Sequence, residues 1–254
     1  MPTLDIDGVA INYVDEGMGP AIVLVHGFTS SLAGNWRAPG IFDALLQSGR
    51  RVVALDCRGH GQSAKPHDPS AYGQARMADD VIALMDHLGI DRADLMGYSM
   101  GGFIAASLLV NHAARWRSVI LAGIGDTVLG GAFPRDRSEA IARALEGGEV
   151  EGPLAETAKG FRAFAQATGN DLLALAATQR APRGGFDASQ LAGARVPVMV
   201  LVGERDTLIG PSNKLAATIP GAQHVKVPGD HLTAVVTPEL KRAVLEFLAE
   251  RSPA

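Results

Sequence analysis

Three short stretches, Ala21–Val25 (AIVLV), Val52–Leu55 (VVAL) and Val198–Gly203 (VMVLVG), are apolar at every position rather than at every second one. A strand with one wet face alternates polar and apolar residues. A run without alternation belongs to a strand covered by helices on both faces, as in a parallel sheet. That constraint sets the fold class as α/β, with a mostly parallel central sheet. Further strands are predicted at Thr3–Ile6 and Ile11–Asp15 around an Asp7-Gly8 turn, and at Ala93–Gly97, Ser118–Ala122 and Ala222–Val227. Between Gly73 and Gly89, the residues Met77, Val81, Leu84, Met85 and Leu88 share one helical face. Thr237-Pro238 supplies an N-cap and an N1 proline for a last helix that turns Leu240, Val244, Phe247 and Leu248 inward.

One interval interrupts the rhythm. Residues 127–194 contain short helical patterns punctuated by glycines and no convincing strand, and the interval is too long for a structureless loop. It reads as a helical cap inserted after the sixth strand, between core segments 1–126 and 195–254. Phe133, Phe161 and Phe164 lie in it, and we expect them to roof an apolar pocket with Phe28, Tyr98, Met100 and Trp36 near its floor. Arg135, Arg137, Arg162, Arg180 and Arg183 also fall in this interval. They read as solvated helix faces in preference to a carboxylate site.

The chemistry concentrates at Gly97-Tyr98-Ser99-Met100-Gly101. In a chain with 30 glycines the G-x-S-x-G pattern alone is weak. Its setting, directly after a predicted strand and opening a small-residue helix, is that of a nucleophile elbow. A serine needs a base. Of the seven histidines, His231 follows Pro228-Gly229-Asp230 on a loop past the last strand, where open α/β sheets gather their sites. The imidazole needs an orienting acid. Asp206, just past a strand end, is the first choice. Asp126 is the main rival, while Glu204 and Asp230 fit less well.

With these residues in view, the sequence resembles the α/β-hydrolase fold family, serine-nucleophile branch. The likeness is carried by Val25-His26-Gly27-Phe28, by Asp56-Cys57-Arg58-Gly59-His60-Gly61-Gln62-Ser63, by Gly97-Tyr98-Ser99-Met100-Gly101-Gly102, and by Gly203-Glu204-Arg205-Asp206 with Gly229-Asp230-His231. The resemblance implies catalytic Ser99, Asp206 and His231, and an oxyanion hole from the amides of Phe28 and Met100. His26 would brace the oxyanion loop, and Cys57 and His60 would be structural. No metal or cofactor is implied.

The implied activity is hydrolysis of carboxylic esters of small or medium acyl groups. Enol-lactone, carbon–carbon bond and perhydrolase chemistry of the same fold are the alternatives. A non-catalytic binding protein and an acyltransferase rank lower. Epoxide hydrolases and haloalkane dehalogenases of this fold place an aspartate at the elbow, whereas position 99 is serine.

A formal charge of −4 speaks against nucleic acid as partner. No run approaches the roughly 18 apolar residues of a membrane helix. MPTLDIDG lacks the basic and apolar regions of a signal peptide. One cysteine cannot form an internal disulfide. We therefore expect a cytoplasmic protein acting on a small-molecule ester. Acyl length and oligomeric state stay open.

Overall fold

The unbroken apolar runs form the middle of one eight-stranded sheet in the computed structural model, which describes residues 1–130 and 135–251. The strands are β1 (Thr3–Ile6), β2 (Val9–Glu16), β3 (Ala21–Val25), β4 (Arg51–Leu55), β5 (Ala93–Tyr98), β6 (Trp116–Ala122), β7 (Val198–Gly203) and β8 (Gln223–Val227). Their order across the sheet is β1-β2-β4-β3-β5-β6-β7-β8. β1 and β2 pair antiparallel, β2 runs antiparallel to β4, and every later pairing is parallel. The opening hairpin turns on Asp7 (φ 52°) and Gly8 (φ 79°), the pair of positive φ angles that a two-residue turn of matching twist requires.

The helices are α1 (Ile41–Gln47), α2 (Gln74–His87), α3 (Met100–Asn111), α4 (Arg135–Leu145), α5 (Ala155–Ala167), α6 (Leu172–Arg180), α7 (Ala188–Ala192), α8 (Asn213–Thr218) and α9 (Pro238–Arg251). Successive strand residues serve opposite layers, which is why the central runs are apolar throughout. Val23 and Val25 of β3 join a core with Val81 and Leu84 of α2 and with Ile104 and Leu108 of α3. Ile22 and Leu24 of the same strand join Phe42 and Leu45 of α1 and Leu240, Val244 and Phe247 of α9. Thr237 caps α9 by accepting the Leu240 amide at 3.2 Å.

Helices α4, α5 and α6 fill the interval between β6 and β7 and share a third cluster: Ile141, Ala142, Leu145, Ala158, Ala165 and Leu175. The later part of the interval behaves differently. Ala177, Ala181, Phe186 and Leu191 pack into the main core, so the chain returns to the sheet layer well before β7.

Candidate active site

The site is built from the turn between β5 and α3. Ser99 sits at φ 54°, ψ −112°, a conformation that costs a non-glycine residue about 1–3 kcal/mol. The turn is held there by backbones in close approach. A Cβ on Gly97 would fall 2.0 Å from the Gly101 carbonyl oxygen, and one on Gly101 would fall 2.0 Å from that of Val25. The strain projects the Ser99 hydroxyl from the C-terminal edge of the sheet, with the open amides of the first turn of α3 beneath it.

His231 arrives from the loop after β8. Its Nε2 lies 2.8 Å from Ser99 Oγ, and its Nδ1 lies 2.7 Å from Asp206 Oδ2. The other carboxylate oxygen of Asp206 accepts the Leu208 amide at 3.1 Å. Asp206 is buried and His231 is half-buried. The carboxylate is therefore fixed from both ends, and the imidazole points one nitrogen at each partner.

The rival acids are engaged elsewhere. Asp126 accepts the Leu215 amide of α8 at 2.8 Å. Asp230 closes its own turn by accepting from the Leu232 and Thr233 amides. Glu204 is exposed.

The stretch Gly27-Phe28 lies against the elbow: a Cβ on Gly27 would stand 3.4 Å from Ser99 Cβ. Its geometry is set from below. The Gly27 amide donates to Asn35 Oδ1 at 2.9 Å. His26 Nε2 accepts the Cys57 amide at 2.9 Å, which makes Nδ1 the protonated nitrogen, donating to the Gly27 carbonyl at 2.8 Å. No described residue accepts from the Phe28 amide. Met100 opens α3, so its amide has no intrahelical acceptor. Both N–H groups remain available beside Ser99.

Beneath this loop Asp56 gathers three donors: the Asn12 carboxamide and the Leu32 and Gln62 amides. His60 is wholly buried, and burial together with the neighbouring His26 pulls its pKa down to about 3. Burial first, then the Asp80 and Asp56 charges, push the Cys57 thiol far above its usual range, so it is inert as a nucleophile.

Several pocket expectations need correction. Trp36 is fully buried in the layer with Leu32, Phe42 and Leu45, so it offers no surface to a ligand. Its apolar bulk served the core, on a π-helical turn at Ala33–Arg37. Tyr98 is only 4% exposed; its hydroxyl donates to the His231 carbonyl at 2.7 Å. Phe164 is 40% exposed, because Ala158 and Ala165 form the inward stripe of α5. Phe133 lies outside the described residues. Phe161 does face the site region, with its ring 5.7 Å from that of Phe28.

The cap arginines also divide. Arg162 donates to the Ala144 and Leu145 carbonyls, and Arg180 pairs with Glu139 and Glu146. Arg135 is exposed. Arg137 is half-buried and donates to the Leu208 carbonyl at 3.0 Å, clamping α4 onto the loop that carries Asp206. Burial lowers its pKa against the pull of Asp206. Arg183 donates to the Thr178 carbonyl, and burial with the nearby Arg137 cation lowers its pKa to about 10.

A cavity of about 30 Å³ opens beside the elbow helix, lined by Gln74, Met77, Met100, Phe103, Thr178 and Arg183. Phe103, Thr178 and the Asn35 brace carry no motif. Only the return of α6 to the core brings Thr178 there. A larger cavity, about 320 Å³, lies between Ala194–Val198 and Pro220–Gly221, at the opposite ends of β7 and β8. Among the described residues, no cluster of three or more His, Cys, Asp or Glu is arranged to hold a metal.

A family model described as the alpha/beta hydrolase fold matches residues 20–143. Bifunctional epoxide hydrolase 2 of Rattus norvegicus is 33% identical over 112 residues, 44% of this chain; the match spans only a fifth of that protein's length (20%). The enol-lactonase from Burkholderia xenovorans LB400 superposes with a TM-score of 0.77 at 27% identity, covering 98% of this chain and 100% of that one. A thermophilic esterase from Thermogutta terrifontis gives 0.76 at 28% identity, covering 98% and 96%. The sheet order, the strained serine turn and these likenesses agree: the chain has the α/β-hydrolase fold and resembles the hydrolases built on it.

Proposed function

We propose that this hydrolase cleaves carboxylic esters of small or medium acyl groups through an acyl-enzyme on Ser99. The observation that carries the reading is the unbroken relay from Ser99 Oγ through both nitrogens of His231 to Asp206, at 2.8 and 2.7 Å. In the attacking state the Ser99 hydroxyl donates to His231 Nε2, and Nδ1–H donates to the Asp206 carboxylate. As Oγ bonds to the ester carbonyl carbon, its proton passes to Nε2, and Asp206 stabilises the imidazolium that forms. The carbonyl oxygen becomes an alkoxide and accepts from the Phe28 and Met100 amides. One such donor is worth about 10²–10³ in rate. Collapse of the adduct breaks the bond to the leaving oxygen, which takes the proton from Nε2. Water then repeats the sequence against the acyl-enzyme and frees the acid.

An enol-lactone is the second reading, favoured by the full-length likeness to an enol-lactonase. It is an ester closed into a ring, and the same groups would open it. An epoxide opened at an elbow aspartate is not supported, because the elbow carries Ser99.

A panel of p-nitrophenyl esters from acetate upward, run on wild type and Ser99→Ala, tests the proposal. We expect an optimum at short or medium chains and loss of turnover in the variant. Activity retained by Ser99→Ala would overturn it. Opening of an enol-lactone far faster than any p-nitrophenyl ester would select the second reading.

A further inference from the structure

The residue before the nucleophile does something that its motif does not require. The x of G-x-S is a free position as far as backbone geometry goes: the glycines and the serine make the turn. Here it is Tyr98, and its side chain leaves the elbow to meet the loop that bears the base. The phenol hydroxyl donates to the backbone carbonyl of His231 at 2.7 Å. The ring also lies along the imidazole, with centroids 5.6 Å apart and planes inclined by 43°. The contact is built firmly. Tyr98 is 4% exposed, it belongs to the core layer with Met96 and Ala122, and a Cβ on Gly123 would come within 3.2 Å of its ring.

His231 needs such a hold. Its loop is tied down on either side, where the Gly229 carbonyl accepts the Arg205 amide at 3.0 Å and Ala234 is buried, but between them Leu232 and Thr233 are exposed and the Asp230 side chain bonds only within its own turn. Asp206 and Ser99 meet the two ring nitrogens, but neither holds the backbone of His231 itself. Tyr98 supplies that backbone attachment, and supplies it from the residue bonded to Ser99. Nucleophile and base are thereby referred to one rigid piece of β5, although 132 positions of chain separate them.

We propose that Tyr98 is a positioning residue for the reaction: its hydroxyl holds the His231 carbonyl so that Nε2 stays aligned with Ser99 Oγ. It touches neither substrate nor reacting atoms. The inference rests on the serine-hydrolase reading above. A displacement of about 1 Å at a reacting pair can cost on the order of a hundredfold in rate. Loss of the hydroxyl alone should therefore lower kcat by about ten- to a hundredfold with KM unchanged within about twofold.

The test is Tyr98→Phe, which removes one oxygen from a buried ring. Three readouts are taken together: kcat and KM on the best p-nitrophenyl ester, the rate of fluorophosphonate labelling of Ser99, and the low-field proton resonance of the His231–Asp206 hydrogen bond. We expect kcat and labelling to fall by the same factor and the resonance to shift or broaden. A merely structural tyrosine would lower the melting temperature and leave all three readouts of the folded enzyme at wild-type values, and that result overturns the proposal. Should Tyr98→Phe not fold, 3-fluorotyrosine placed singly at 98, 13 or 72 provides the second route. The resonance must move for position 98 alone, and equal behaviour at all three overturns the proposal. If Ser99→Ala keeps its activity, the hydrolase reading fails by itself; the resonance in Tyr98→Phe still reports whether the tyrosine holds His231.

Discussion

The elbow and the helical interval above it use glycine in opposite ways. At the elbow there is no room: a Cβ on Gly97 or Gly101 would sit 2.0 Å from a carbonyl oxygen, and one on Gly102 would sit 2.7 Å from the Ile124 side chain. In the interval, Gly130, Gly152, Gly160, Gly169 and Gly184 have nothing within 4 Å of such an atom. The first region is specified by backbone contact, which admits one residue type. The second is specified by burial of an alanine-rich stripe, which many sequences satisfy. Chemistry that needs two atoms held within a few tenths of an ångström sits in the first region, and the layer that shapes access sits in the second.

That contrast is most exposed to test by Gly101→Ala. With Val25 carbonyl oxygen in the way, β3 and α3 must separate, and we expect a loss of about 3 kcal/mol or more, or no folded protein. Urea unfolding measures it, and a loss below about 1 kcal/mol would break the comparison.

Acid comes next. His60 is buried and held neutral down to about pH 3, whereas in the unfolded chain a histidine protonates near 6.5. Below that value the unfolded state binds the extra proton, so the contribution of His60 to stability declines as pH falls from about 6.5 towards 3. The slope is about 1 kcal/mol per pH unit. Urea titrations between pH 7 and 5 should show a shallower decline in His60→Gln; parallel curves would contradict the assignment.

In the interval, Asp171 both caps α6, accepting the Leu173 and Ala174 amides at 3.0 Å, and pairs with His67 of the core at 3.0 Å. Burial raises its pKa, but the Ala174 amide, His67 and the Leu173 amide outweigh it and hold the carboxyl below its usual range. A depressed carboxyl stabilises the fold above its unfolded pKa, about 3.9, and loses that contribution as pH drops through the folded value. Asp171→Ala should cost about 1 kcal/mol at neutral pH. Hydrogen exchange should place the loss in α6 and leave the elbow protected.

The smallest effect has the opposite sign. Gly160→Ala, mid-helix in α5 with open space around it, should stabilise by about 0.5–1 kcal/mol. A destabilised Gly160→Ala would show that the interval is packed as tightly as the elbow.

The same contrast explains which features the sequence alone conveys. Central strands, the elbow and the loops holding Asp206 and His231 are spelled by local rules: unbroken apolar runs, glycines at forced contacts, residues just past strand ends. Asp126 and Asp206 both meet the strand-end rule. Only the partners separate them, since Asp126 is used by the Leu215 amide of α8. Aromatic side chains are another matter. Whether Trp36, Tyr98 or Phe164 faces a pocket, a core or solvent depends on helix rotation and sheet face, which composition does not encode. The Tyr98–His231 contact spans 133 positions and has no local signature. Arg137 and Arg183 read as solvated cations because which side of the cap turns onto the Asp206 loop or the core is set by packing and not by sequence period.

The central claim is that Ser99 is an activated nucleophile, and labelling with a fluorophosphonate followed by peptide mass mapping tests it most directly. We predict one adduct per chain, on Ser99, formed at a rate that falls by about 10³ or more in His231→Ala. An adduct on another residue, no adduct at all, or labelling of Ser99 that is indifferent to His231 would contradict the account.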